Sequence, residues 1–470
     1  MTHAAIIGGG MAGMLAATAI ARHVDRVTII ESDTFPTSPA QRRGLPQGHH
    51  NHMLFGGGAM ALDTLLPKTT DLLYAHGAHH LRLGERMAML SPQGWSRRFD
   101  GDPFVVTCSR PLLDHVVRRQ ALSYHRITLI QSAKVVGLTG DASRVTGVRV
   151  ERDGGPAETI EADLVVDAAG RRSDSPRWLT DLGLPEVAED TLDAGFAYAG
   201  RSFLAPPSAG DDFPGILIQA DNSTGEPGRG AALLPNEDGR WIVALIGTRG
   251  AHPPTDEEGW LEFARSMRSP IIADLLAGAT PLGEIRAYRG LANRRRHFER
   301  IVPEGFVVLG DAAMTLNPNY ATGMSISAFG ALALREEVER TGFTDGLARR
   351  AQQRIAKAGE PWWEVAIGQD RWFPNVRTNL TLRGGPSQLK MAARWGRVVT
   401  EHPAMARATY SAASLVITPK KMMTLPLLVA MMRGPKLPPL TADEAIAQYP
   451  GFSGVLDAAP ADSAVSQTTA

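Results

Sequence analysis

Three glycines, Gly8, Gly10 and Gly13, and one carboxylate, Glu31, carry the most legible chemistry of the chain. The glycines follow the apolar run AAII and precede an alanine-rich stretch and a second apolar run, VTII. Their spacing is G-x-G-x-x-G. In such a unit the first glycine allows a tight turn, the second lets backbone approach a pyrophosphate, and the third lets helix pack on strand. Free amides at the helix N-terminus then face the anion with the positive end of the helix dipole behind them. Glu31 closes the second run, where a carboxylate can bond both ribose hydroxyls of an adenosine. Strand, turn, helix, strand and acid agree, and together they describe a dinucleotide cradle.

The rest of the chain has to position that cradle. At 470 residues it can bury a large core split between two domains and an appendage. Forty-nine basic residues balance forty-nine acidic ones, which gives no indication of a nucleic-acid or anionic-membrane partner. Cys108 is the only cysteine, so an internal disulfide is excluded. No apolar run approaches the ~20 residues that span a bilayer. The nearest, 425–432, contains Pro426 and ends at Arg433 and Gly434; it reads as a packed C-terminal helix, with a peripheral surface contact as the alternative. The cradle begins beside Met1, which leaves no room for a signal peptide, and the expectation is a soluble cytoplasmic protein.

Downstream, 32–51 reads as a long loop and 53–66 as helix; in 110–124, Leu112, Leu113, Val116 and Val117 share a helical face. Strands are expected at 127–138, 144–151 and 157–168, the last a continuous apolar run suited to a buried parallel strand. Residues 194–247 contain four strand-length runs separated by Gly, Pro, Asp and Asn, which suits an inserted antiparallel sheet. Residues 256–277 read as helix, 282–292 as a strand returning to the first domain, and 322–339 as a long helix. The fold class expected is α/β. A Rossmann-like domain of the GR2 type occupies 1–190 (with an insertion near 70–105) and 286–342. A β-rich substrate domain occupies 191–285, a helical region 343–450, and a disordered tail 451–470.

Three downstream segments resemble the flavoprotein monooxygenases with the para-hydroxybenzoate-hydroxylase fold: the helix led by Arg110, the strand and turn GFVVLGDAAM at 305–314, and Asn317-Pro318 with Gly323-Met324. Longer stretches, among them RRGLPQGHHNHML at 42–54, SRPLLD at 109–114 and NPNYATGMS at 317–325, are similar to actinomycete polyether epoxidases of the lasalocid and monensin type. The resemblance implies FAD as cofactor. Arg110 would help hold the pyrophosphate and ribityl chain, Asp311 would accept from ribityl hydroxyls, and Pro318 would flank the flavin ring. Amides near Gly323 and Met324 would face the edge where negative charge collects on reduction. The cofactor set implied is Gly8, Gly10, Met11, Ala12, Gly13, Glu31, Ser32, Arg42, Arg43, Arg110, Val135, Asp311, Pro318, Gly323 and Met324. His49, His50 and His52 lack acids nearby that would complete a metal site, so no metal is assigned; they read as part of a loop covering FAD, with Arg42 or Arg43 reaching it.

Two departures bear on function. Ala169 stands where the family has aspartate after the 163–168 strand, with Asp167 two residues early, so electrons arrive from NAD(P)H directly or through a separate flavin reductase. Ala321-Thr322 replaces a more usual Gly-His beside the flavin. The activity implied is epoxidation of a lipophilic polyene or terpenoid in secondary metabolism, with molecular oxygen carried as a flavin C4a-hydroperoxide. Such chemistry needs a dry apolar pocket and no side-chain nucleophile. Asn317, Pro318 and Tyr320 would face the flavin, and Phe203, Ile216, Ile218, Leu233 and Leu245 are the candidate substrate wall. The alternatives are hydroxylation of an aromatic ring and reduction of a prenyl chain.

Overall fold

Residues 1–152 and 154–457 are described by a computed structural model. A five-stranded parallel sheet runs in the order Phe306–Val308, Leu164–Asp167, His3–Ile7, Arg26–Ile30 and Ile127–Ile130. Every residue of His3–Ile7 and Leu164–Asp167 is buried because both faces are covered, which is why these segments read as continuous apolar runs. On one face Ala4, Ile6, Val27 and Val166 pack with the Met11–Ile20, Arg110–Leu122 and Gly323–Thr341 helices. On the other, Ala5, Ile7 and Val165 meet Val135, Val148 and Val150 of a three-stranded antiparallel sheet. This is a Rossmann-like α/β arrangement with further sheets and C-terminal helices added to it.

A seven-stranded sheet stands beside it in the order Thr280–Tyr288, Ala197–Leu204, Arg240–Gly247, Arg229–Asn236, Gly215–Ile218, Met87–Ser91 and Gly94–Trp95. Its outer face is closed by the Glu257–Arg265 and Ile271–Leu276 helices. A four-stranded sheet, with Met314–Thr315, Asn293–Arg296, Glu189–Asp193 and Arg377–Thr378 in that order, ties the two middle strands to the C-terminal region.

Three expectations are corrected. Thr280–Tyr288 is an edge of the seven-stranded sheet, and the return to the first domain is made by the next strand, Asn293–Arg296. The segment expected as one helix from residue 53 opens as a strand, Met53–Phe55, paired with Phe104–Thr107 before the Gly56–Leu65 helix. Glycines suit this helix start because backbone passes close: a Cβ on Gly57 would lie 2.1 Å from the Leu415 carbonyl. The tail expected from 451 begins instead as a helix, Pro450–Leu456, anchored by buried Phe452 and Val455 in the core under the seven-stranded sheet. Residues 458–470 of that expected tail lie outside the described residues.

The glycine turn shows two different demands. Gly8 has φ +92°, and a Cβ there would meet the Ala168 carbonyl at 2.8 Å. Gly13 faces the Gly8 carbonyl so closely that a Cβ would lie 1.9 Å from it. Nothing lies within 4 Å of a Cβ on Gly10. Gly13→Ala is therefore expected to cost about 1–3 kcal/mol by overpacking, read as a lowered thermal midpoint of the apoprotein. Gly10→Ala should leave that midpoint unchanged and instead weaken FAD retention.

Candidate functional site

Two helix N-termini converge on one space. The Met11–Ile20 helix starts after Gly10 with no side-chain cap and no acid in its first turn. The Gly323–Thr341 helix likewise has no side-chain cap, and the hydroxyls of Thr322 and Ser325 beside its first turn are buried without partners. Uncapped N-termini leave amide donors unsatisfied and favour an anion. Gly310, at φ +65°, lets the second turn approach the first helix; a Cβ there would stand 2.8 Å from the Ala12 Cβ.

Arg110 is the decisive side chain. It leads the Arg110–Leu122 helix after Ser109, whose hydroxyl accepts the Leu112 amide and caps it. The residue is buried, and its Nε has no hydrogen-bond partner. Burial pulls the guanidinium below its usual range, opposed by Asp114 and Asp311 and reinforced by Arg42. Burial pushes the Asp311 carboxyl up, against the attraction of Arg110, Arg171 and Arg294. Asp311 sits at the start of the Gly323–Thr341 helix: its Oδ1 would lie 3.5 Å from a Cβ on Gly323. A buried cation with an unpartnered Nε, a half-buried acceptor and two uncapped helices form a donor set suited to a pyrophosphate with an attached polyol chain.

Glu31, buried at the end of its strand, accepts the Gly9 amide at 2.8 Å through Oε2 and the Asp33 amide at 2.9 Å through Oε1. The Ser32 hydroxyl donates to the same Oε1 at 3.3 Å. Arg42 lies between Asp114 and Asp33, 3.3 Å from each, over the Phe35 ring. It pins the 32–51 loop and is already neutralised, whereas Arg43 is exposed; neither supplies the free cation that Arg110 does. The Val135 side chain is core, packed beneath the parallel sheet. The His52 Nδ1 donates to the His50 carbonyl at 2.8 Å, and burial followed by Arg110 brings its pKa down to about 3. His50 packs against Tyr288 and is brought down to about 4, chiefly by burial. Both imidazoles are neutral at pH 7.

The Asn317–Tyr320 loop is held by a network that sequence reasoning only half found. Asp370, at the end of the Leu347–Asp370 helix, accepts from Tyr320 at 2.5 Å, Asn293 at 2.7 Å and Asn317 at 3.3 Å. Asn317 also accepts from Tyr198 at 3.0 Å, and its amide donates to the Asn293 Oδ1 at 2.7 Å. Asn317 and Tyr320 are thus fixed while Pro318 stays exposed. Asn293 is 1% exposed. Asp370, Tyr198 and Asn293 lie 50 or more residues from one another, and no spacing links them. Burial pushes Asp370 up to about 6 despite its three donors.

The proposed substrate wall is out of phase. Phe203, Ile216, Ile218, Leu233 and Leu245 all pack with Trp260, Phe263 and Ile271 under the outer helices, so they are core. A period of two assigns the residues between them to the opposite face. That inner face carries Tyr198, Gly200, Ala232, Ala244 and Ile246, with small residues at its centre and Tyr198 bonded to the flavin-side loop. Asp167 does not take the place of the missing aspartate near 169. It is fully buried, accepting from the Ser173 and Ser175 hydroxyls and, at 2.8 Å, the Ala169 amide.

Residues 1–337 match the family model of the FAD binding domain. The chain is 31% identical over 389 residues to Protein Rv3254 of Mycobacterium tuberculosis, covering 78% of this chain and 80% of that one. It is 28% identical over 350 residues to a kynurenine 3-monooxygenase of Salinispora arenicola, covering 69% of each. A flavoprotein/dehydrogenase from Cytophaga hutchinsonii has the same fold, with a TM-score of 0.66 at 16% identity over 92% of this chain and 98% of that one. The chain belongs to the FAD binding domain family. Its class is that of the flavin-dependent monooxygenases, with FAD as cofactor. The unpaired Arg110, Asp311 and the uncapped helices fit that cofactor.

Two outcomes follow. Arg110→Met removes a buried charge that only a ligand satisfies. FAD affinity should fall at least about tenfold while the apoprotein melts a few degrees higher, checked by flavin titration and apoprotein denaturation. Asp370 binds its proton more tightly in the folded state, so its contribution to stability is greatest below about pH 4 and is lost as pH rises through about 6. The thermal midpoint of Asp370→Asn minus that of the unaltered protein should therefore rise between pH 4 and 6 and level off above.

Proposed function

We propose that the protein inserts one oxygen atom from molecular oxygen into a lipophilic small molecule, and that the reaction is epoxidation of an alkene in a polyene or terpenoid of secondary metabolism. FAD, when reduced and exposed to oxygen, supplies an electrophilic oxygen; the chain's own residues supply orientation, dryness and charge. Arg110 and the start of the Met11–Ile20 helix would bind the diphosphate, and Asp311 the ribityl chain. The uncapped start of the Gly323–Thr341 helix would favour negative charge on the ring.

The observation that carries the alkene reading is the state of Asp370. It is the buried carboxylate nearest the flavin-facing loop, and both its oxygens are already occupied by Tyr320, Asn293 and Asn317. It positions that loop and is not itself free to deprotonate a phenol, a step on which aromatic hydroxylation draws; the unpartnered Nδ1 of His50 beside Gly200 is, with a pKa of about 4, a weak base for that step. An alkene needs no such base. The apolar inner face around Gly200, Ala232 and Ala244 supports the same choice. The 28% identity to a kynurenine 3-monooxygenase favours hydroxylation of an aromatic ring as the second reading. Reducing equivalents come from NAD(P)H directly or through a separate flavin reductase.

The test offers the purified enzyme a lipophilic polyene and a phenol in parallel under labelled oxygen, with NADPH or with an added flavin reductase. One labelled oxygen atom in the polyene, with the phenol unchanged, is the expected result by mass spectrometry. Label in the phenol alone would replace epoxidation with hydroxylation, and unlabelled product formed without oxygen would sink both.

A further inference from the structure

Balanced overall charge conceals a strongly basic region. Between Arg371 and Leu440 the chain has eleven Lys or Arg residues and one acid, Glu401. Glu401 is occupied, accepting the backbone amides of Lys436 and Leu437. The same region holds seven of the eleven strongly exposed large apolar side chains among the described residues. Apolar exposure and positive charge therefore coincide in one part of the molecule.

The Leu425–Arg433 helix is at its centre. Its sequence, LPLLVAMMR, is almost wholly apolar, yet none of its residues is buried. Leu427, Ala430 and Met431 rest against a cluster that contains Val398, Val399 and Met405. Leu425 and Met432, seven residues apart and so on one helical face, are 73% and 63% exposed. Arg394 donates to the Met431 and Met432 carbonyls, and Met391, one turn before it, is 51% exposed, so it extends the same patch. Lys420, Lys421, Arg433 and Lys436 are exposed at the two ends of this helix.

We propose that this face docks the protein on an anionic lipid bilayer, with Leu425 and Met432 in the headgroup–acyl boundary and the flanking lysines and Arg433 on lipid phosphates. No helix is long and apolar enough to cross a membrane among the described residues, so the mode is interfacial. Apolar side chains ringed by uncompensated cations are complementary to an anionic bilayer. A second copy is a poorer occupant, because two such basic faces repel each other. The patch stands close to the site: Leu415, just ahead of exposed Val416, packs with Tyr320 of the flavin-facing loop. Docking does not depend on which reaction the enzyme performs.

The test is co-sedimentation of the full-length, flavin-loaded protein with vesicles of phosphatidylcholine alone or mixed with phosphatidylglycerol. Binding to the mixed vesicles only, lost as salt is raised, is expected. Leu425→Asp and the pair Lys420→Glu/Lys421→Glu should each weaken binding at least about tenfold, with flavin content unchanged. These positions are exposed, so the variants should fold, and the unaltered protein is a test in its own right. Failure of the unaltered protein to sediment with anionic vesicles at low salt would overturn the proposal. So would equal binding by both variants, or a dimer that Leu425→Asp dissolves in the absence of any vesicle binding.

Discussion

A buried guanidinium whose Nε has no hydrogen-bond partner is the constraint on which the site depends. Desolvating an ion without pairing it costs several kcal/mol, and at Arg110 the attraction of Asp114 and Asp311 offsets only part of the burial. Asp114, the nearest carboxylate on its own helix, is engaged by Arg42 and Arg118. Asp311 stands across the space from Arg110 and is itself short of donors. The two charges are held apart by elements from distant parts of the chain, the Arg110–Leu122 helix and the turn after Phe306–Val308. An anionic, polyol-bearing cofactor would satisfy both at once, and its binding would then relieve an internal electrostatic burden.

A second constraint fixes the geometry of the reaction chamber. The loop Asn317–Tyr320 would have little reason to keep one conformation by itself, since Pro318 is exposed and Ala321 adopts a left-handed backbone. Asp370 gathers it. Two donors from the loop, Asn317 and Tyr320, and one from the four-stranded sheet, Asn293, end on one carboxylate, which joins the long C-terminal helix, the sheet and the loop. Tyr198 extends the network onto the inner face of the seven-stranded sheet. The Asn317–Tyr320 loop and the inner sheet face are thereby positioned by one set of hydrogen bonds, which in a low-dielectric interior are both strong and expensive to leave unmade.

The surface carries an asymmetry of its own. Basic residues concentrate between Arg371 and Leu440, where apolar side chains remain uncovered, while the β-rich segment 191–285 and the stretch after Leu440 carry the compensating acids. A lipophilic substrate and an interfacial helix suit each other, because a molecule with low water solubility is most concentrated in the bilayer.

Local order in the chain was enough to specify the dinucleotide cradle, since Gly8, Gly10, Gly13 and Glu31 act on neighbours in sequence and each has one steric or electrostatic task. The parallel strands and the main helices were legible for the same reason: burial on both faces or on one face writes itself into short-range periodicity. Tertiary structure alone decided which face of the inserted sheet the outer helices cover. Both faces are apolar, so alternation identified the pairing of Phe203 with Ile216 and Leu245 but not the side they face, and the outer helices settled it. It alone brought Asp370 to Tyr320, Asn317 and Asn293, because a hydrogen bond between residues far apart in sequence leaves no periodic trace. It also turned Phe452 into a core residue and left Leu425 exposed. Whether an apolar side chain is covered depends on what packs above it, and that is a property of the assembled molecule.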